Sequence, residues 1–248
     1  MQRWKQSGDC NTDRGFTLFE LMIATVVLVI IFGVVLKALE DMQHRNSSEA
    51  SKVDTVQETR DFIDQMVRDI HDVGYPPGRV LNGAPSCIGN SGIACGVVSY
   101  SPTQIIYEGD LDGTGTVYQI TVQLVTPASG NCPCILQRGV VTKAQALAGQ
   151  IPTYFTEVNG VINSGNGAGT ANYTVSLGGT VSYSSYAAAD VFDAYDVNAS
   201  AVGSCASVAA CSSIRSVQIT ANVVPAQPDI VTQVFPVFSI TSKARLNF

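Results

Sequence analysis

From Phe16 to Leu36 the chain is apolar with one interruption, Glu20, and residues 21–36 (LMIATVVLVIIFGVVL) carry no charge. The run is 21 residues long, and a helix of that length spans the roughly 30 Å of a bilayer's hydrocarbon core. Behind it the pattern changes. Val53, Val56, Ile63, Met66, Ile70 and Val73 recur at spacings of three and four, with Phe62 and Val67 beside them and Asp and Arg opposite. This predicts an amphipathic helix whose apolar stripe packs on a sheet. No proline occurs between Phe16 and Tyr75, so nothing forces a break. Asn46-Ser47-Ser48 weakens the pattern and reads as a candidate bend, and Gly74-Tyr75-Pro76-Pro77-Gly78 ends the helix. Continuous helix over 16–74 would be about 90 Å long.

After Pro76 the helical period is lost and the residues become rich in Gly, Ser, Thr, Val and Asn. Strand candidates are 103–107, 116–126, 172–177, 214–224 and 230–240, separated by Gly- and Ser-rich loops. The last two, joined by Pro225-Ala226-Gln227-Pro228, read as a hairpin or as neighbouring strands. An antiparallel sheet lying on the helix is the expected architecture, an α+β class.

Charge sharpens this division. Residues 1–15 carry Arg3, Lys5 and Arg14 against Asp9 and Asp13; residues 37–75 are acidic by four charges and 76–248 by two. A mildly acidic surface without a basic patch makes nucleic acid an unexpected partner. By the positive-inside tendency residues 1–15 stay cytoplasmic and the C-terminus is exported. A secretory signal peptide fits poorly, because the polar leader ends at a Gly before the apolar run and no small-residue cleavage site follows it. Glu20 then needs an explanation, since an ionisable group in a span costs roughly 2.5–3.5 kcal/mol. Cutting between Gly15 and Phe16 would create an α-amino group able to pair with Glu20 of a neighbouring subunit. The blander alternative is a carboxylate near the interface reaching toward head groups.

Of seven cysteines, Cys10 lies in the leader and Cys87, Cys95, Cys132, Cys134, Cys205 and Cys211 lie in the head. In an exported domain these read as disulfides. Six allow about 15 pairings, and the close pairs 87/95 and 205/211 favour two short loops. Cys132-Pro133-Cys134 either bridges itself, against the usual geometry, or bonds elsewhere. A metal site is disfavoured because no spacing is CxxC and the head has no His.

The segment Arg14-Gly15-Phe16-Thr17-Leu18-Phe19-Glu20-Leu21-Met22-Ile23-Ala24 resembles the N-terminal signature of type IV prepilins and of type II secretion pseudopilins. The resemblance implies cleavage after Gly15 by prepilin peptidase, N-methylation of Phe16 and guidance of assembly by Glu20. It implies a pilin-like fold with a cleaved leader (1–15), a transmembrane assembly helix (16–36), an amphipathic stalk helix (37–75) and a disulfide-containing β-rich head (76–248). The implied partners are other pilins and minor pilins, the inner-membrane assembly platform and the peptidase. The implied location is the bacterial inner membrane with the head in the periplasm, then a pilus or pseudopilus. Major pilins commonly carry a proline where this chain has Lys37. That departure, the long head and Met66-Val67-Arg68-Asp69-Ile70…Gly74-Tyr75 resemble PilW-type minor pilins, and minor pseudopilin J of type II secretion is similar in length and plan. An anchored adhesin is the remaining alternative.

Within the head, Glu108-Gly109-Asp110-Leu111-Asp112-Gly113-Thr114-Gly115-Thr116 places oxygens at alternate positions before Gly, like the first half of a calcium loop. Asp110 and Asp112 are its candidate ligands. Against it, the first position is Glu108, the twelfth is Gln119, and Asp-Gly-Thr-Gly between two strands is ordinary turn chemistry. No other cofactor is expected. Asp190, Asp193 and Asp196 read as a solvated loop or a short helix face. Both histidines, His44 and His71, lie on the stalk, so the head lacks a partner for a Ser or Cys nucleophile and no enzyme activity is expected.

Overall fold

The computed structural model describes residues 17–75, 86–127, 132–163, 172–174, 180–182, 186 and 188–246. Helix α1 runs from Leu18 to His71, 54 residues, and its assignment is unbroken at Asn46-Ser47-Ser48, where the sequence suggested a bend. The chain forms two compact units, one ending at Asn46 and one beginning at Ser47. In the first, every described residue from Thr17 to Asn46 is exposed. The second holds the rest of α1 and the head.

The head is an antiparallel sheet of β1 (Val97–Ser101), β2 (Gln104–Gly109), β3 (Tyr118–Val125), β4 (Cys134–Thr142), β5 (Tyr154–Val161), β8 (Phe192–Tyr195), β9 (Ala201–Val202), β10 (Ser216–Val223) and β11 (Phe238–Arg245). The short pair β6 (Asn172–Thr174) and β7 (Thr180–Ser182) stands apart. Two small helices, α2 (Lys143–Leu147) and α3 (Val208–Cys211), sit on connections. The order is β1-β2-β3-β4-β5-β10-β8-β9, with β11 also on β10. β10 is the hub: β11 pairs along all of it, while β8 takes its first half and β5 reaches Val223 at its end. This curled sheet and the helix make the α+β, pilin-like architecture expected from sequence.

The helix meets the sheet through Phe62, Ile63, Met66 and Ile70, joined in the core by Val73, Ile105, Tyr107, Ile120, Leu136, Val158 and Ile219. Burying each large apolar side chain contributes roughly 1.5–3 kcal/mol. The upper part of the expected stripe is different. Val53 is 61% exposed and Val56 only half-buried, whereas Ser48 and Thr59 are buried. The inward face here is polar and its groups are paired. Ser48 Oγ donates to the Pro228 carbonyl, Thr59 Oγ1 to the Thr55 carbonyl, and Lys52 to Asp229 at 2.7 Å. Lys52 and the Val231 and Thr232 amides hold the Asp229 carboxyl well below the usual carboxylate range. Hydrophobic spacing alone cannot find such a face.

Just past its C-terminal end α1 is stitched to the end of β2. Val73 bridges Gly109, the Gly74 amide donates to the Glu108 carbonyl, and the Asp110 amide donates to the Tyr75 carbonyl. Position 109 must be glycine, because a Cβ there would lie 2.7 Å from the Asp72 carbonyl oxygen. One turn earlier, Asp69 Oδ2 accepts from Arg138 on β4 at 2.7 Å and from the Tyr107 hydroxyl on β2 at 3.0 Å. Burial, then the Asp69 charge, pushes the Tyr107 phenol well above its ordinary value, so it stays a neutral donor.

Among the strand candidates, 103–107, 116–126 and 214–224 correspond to β2, β3 and β10. Residues 172–174 form β6, and 175–177 lie outside the described residues. The candidate 230–240 is displaced: β11 begins at Phe238 and pairs with β10 from Val223↔Phe238 onward. Residues 230–234 instead form a turn around Asp229, whose Oδ1 accepts from the amides of Val231 and Thr232.

Candidate functional site

Gly15 and Phe16 lie outside the described residues, as does Cys10. The site begins at Thr17, which caps α1. The Glu20 amide donates to Thr17 Oγ1 at 3.3 Å, and Glu20 Oε2 accepts from the Thr17 amide and hydroxyl, each at 3.0 Å. This reciprocal capping box explains why the helix starts at Leu18. It also gives Glu20 a local partner that the apolar pattern does not suggest, although a Thr followed three residues later by Glu is a legible signal for it. The hydrogen bonds use Oε2 but leave the carboxylate's charge unneutralised.

From Leu18 to Leu36 the helix presents apolar side chains on all sides, with Leu18 79%, Phe19 71% and Val29 67% exposed. It is long and apolar enough to cross a membrane. A helix hydrophobic all round is stable only when lipid or neighbouring helices cover it. The charged residues resume at Lys37, which pairs with Glu40 at 3.1 Å and Asp41 at 3.4 Å.

In the head the structure closes three disulfides, Cys87–Cys95, Cys132–Cys134 and Cys205–Cys211. Each is local in sequence, so each fixes a loop and leaves strand pairing to the sheet. The first loop is also held by a buried ion pair. Lys143, at the start of α2, lies 2.6 Å from Glu108 on β2, with the side chains only 2% and 5% exposed. Lys143 Nζ donates in addition to the carbonyls of Cys87 and Ile93, both at 2.8 Å, and Glu108 Oε2 accepts from the Cys95 amide.

That pair corrects the reading of Glu108 as the first oxygen of a calcium loop. Its carboxylate is committed to Lys143, and the loop proper runs from Asp110 to Thr116. Asp112 Oδ1 accepts from the Thr114 amide and hydroxyl, and Oδ2 accepts from the Tyr118 hydroxyl. The Thr114 hydroxyl, then its amide, lowers the Asp112 carboxyl to about 2. The second acidic cluster is corrected as well. Asp193 lies on β8, Asp190 just before it and Asp196 in the β8–β9 turn, all half-buried, and burial raises Asp190 and Asp193. Only Asp193 is on the strand, and Asp196 Oδ1 closes the turn by accepting from the amides of Asn198 and Ser200.

Comparison with known proteins bears on the N-terminal segment. No curated protein and no solved structure matches the chain. A family model described as the prokaryotic N-terminal methylation motif matches residues 10–36, a span that contains Gly15, Phe16, Glu20 and the uncharged apolar run, and that match supports a type IV prepilin-like protein.

Proposed function

We propose that this chain is a minor pilin of a type IV pilus, cut after Gly15, N-methylated on Phe16 and assembled through the helix that follows. The observation that carries this is the coincidence of three features in one segment. The methylation motif matches residues 10–36, Glu20 stands alone as a charge from Phe16 to Leu36, and the surface around it is apolar and exposed. Before assembly that surface lies in the inner membrane with the head in the periplasm. Within a filament it packs on the helices of other pilins, and Glu20 meets the new amine of a neighbour. The head then sits at the filament's surface or end. A Lys at position 37 in place of proline and a long disulfide-bonded head favour a subunit that primes or caps the filament.

A minor pseudopilin of type II secretion has the same plan, and the two separate by location. Shearing cells should release the mature chain with surface filaments, in amounts far below the major subunit. Recovery only from the envelope, in cells whose sheared filaments lack the chain, would transfer the assignment to a pseudopilus.

A further inference from the structure

We propose that the loop between β2 and β3 is a calcium site whose charged ligands are Asp110 and Asp112. The starting point is a buried oxygen. Asp110 is 6% exposed, its Oδ2 accepts the Gly115 amide at 2.8 Å, and its Oδ1 is buried with no hydrogen-bond partner among the described residues. An anionic oxygen withdrawn from water without a donor is costly unless a cation meets it. The buried cation of this region, Lys143, is engaged by Glu108 and two carbonyls. The Gly115 bond, made five residues along the chain, turns the Asp110 carboxylate back across the loop that carries Asp112.

The donor set selects the ion. Asp110, Asp112, the Thr114 hydroxyl and the loop's backbone carbonyls offer oxygen only, with every described cysteine closed in a disulfide. Hard oxygen donors suit calcium, whose six to eight ligands tolerate irregular geometry, better than magnesium, which keeps to a small octahedron. Gly113 and Gly115, at φ +69° and +85°, allow the tight path that brings the oxygens together. Asp112, Thr114 and Thr116 are exposed, so the ion enters from solvent and water completes its shell. Two carboxylates and no bidentate closing Glu place the dissociation constant at roughly 0.1–1 mM, as in extracellular calcium modules.

The full chain in detergent, stripped with chelator and dialysed, is titrated with calcium chloride and, separately, magnesium chloride by calorimetry. The expected result is one calcium per chain and at least roughly tenfold weaker magnesium binding. In parallel, ~10 mM calcium should raise the melting temperature by about 3–11 °C over chelator. Asp110→Asn, which keeps an acceptor for the Gly115 amide, and the exposed Asp112→Asn should each abolish the rise. If Asp110→Asn does not fold, Asp112→Asn carries that comparison. Absence of binding heat and of any shift in the unaltered chain overturns the site, as does a shift that survives in the folded variants.

Discussion

A chain carrying Glu20→Ala should enter the membrane at least as well as the unaltered protein, yet be recovered in filaments about a hundredfold less. The direction of the first effect follows from removing an ionisable group from an apolar span. The second follows from what the carboxylate does there. In the proposed filament, each subunit cut after Gly15 would bring a positive amine into a helix bundle of low dielectric, and Glu20 is the sole acidic residue from Phe16 to Leu36. Leaving that amine without a counter-charge costs on the order of 2.5–3.5 kcal/mol, which is roughly two powers of ten in association. The capping box on Thr17 offers a competing explanation, because alanine also loses the bonds from Thr17 to Glu20 Oε2. Glu20→Gln separates the two. Glutamine fills the third helical position of a capping box as well as glutamate does but brings no charge. If Gln also fails in filaments, charge pairing is the function of this residue; if Gln assembles normally, Glu20 only starts the helix.

Lys143→Met should lower the stability of the head by about 3–5 kcal/mol, because it strands the Glu108 carboxylate in the core without its partner. A loss of that size approaches half the stability of an ordinary domain. The effect reaches beyond one pair. Lys143 Nζ also ties the carbonyls of Cys87 and Ile93, and Glu108 Oε2 takes the Cys95 amide, so both ends of the first disulfide loop hang on these two side chains. Removing both charges, as Lys143→Met with Glu108→Leu, should recover much of the loss, since no uncompensated ion remains buried. Thermal or urea unfolding of the full chain in detergent measures all three. A Lys143→Met change within about 0.5 kcal/mol of the original, the range of an ordinary surface substitution, would show that the pair is hydrated and unimportant.

The parts of this protein that repeat a simple period or a short signal are legible in the amino-acid order alone. The uncharged run at 21–36, the lower stripe of Phe62, Ile63, Met66 and Ile70, and the alternation in β3 and β10 each follow from a period of 3.6 or 2. Other parts depend on partners far away in sequence. Lys143 and Glu108 are 35 residues apart, and nothing local marks either as buried. Ser48 and Thr59 are buried although they are polar, because their hydroxyls are satisfied by carbonyls. β11 begins eight residues later than the hydrophobicity of 230–240 suggests, since Asp229 collects two amides and turns the chain first. The acidic loop is visible as a motif, but the separation of Glu108 from Asp110 depends on the fold.

In the filament reading, proteolysis creates the group that Glu20 requires. The mass of the N-terminal peptide from the full-length protein, isolated from membranes of a host with an active prepilin peptidase, tests this most directly. The expected peptide begins at N-methyl-phenylalanine, residue 16. An unprocessed peptide beginning at Met1 would mean that no amine forms beside the apolar helix, and the filament assignment would fail with it.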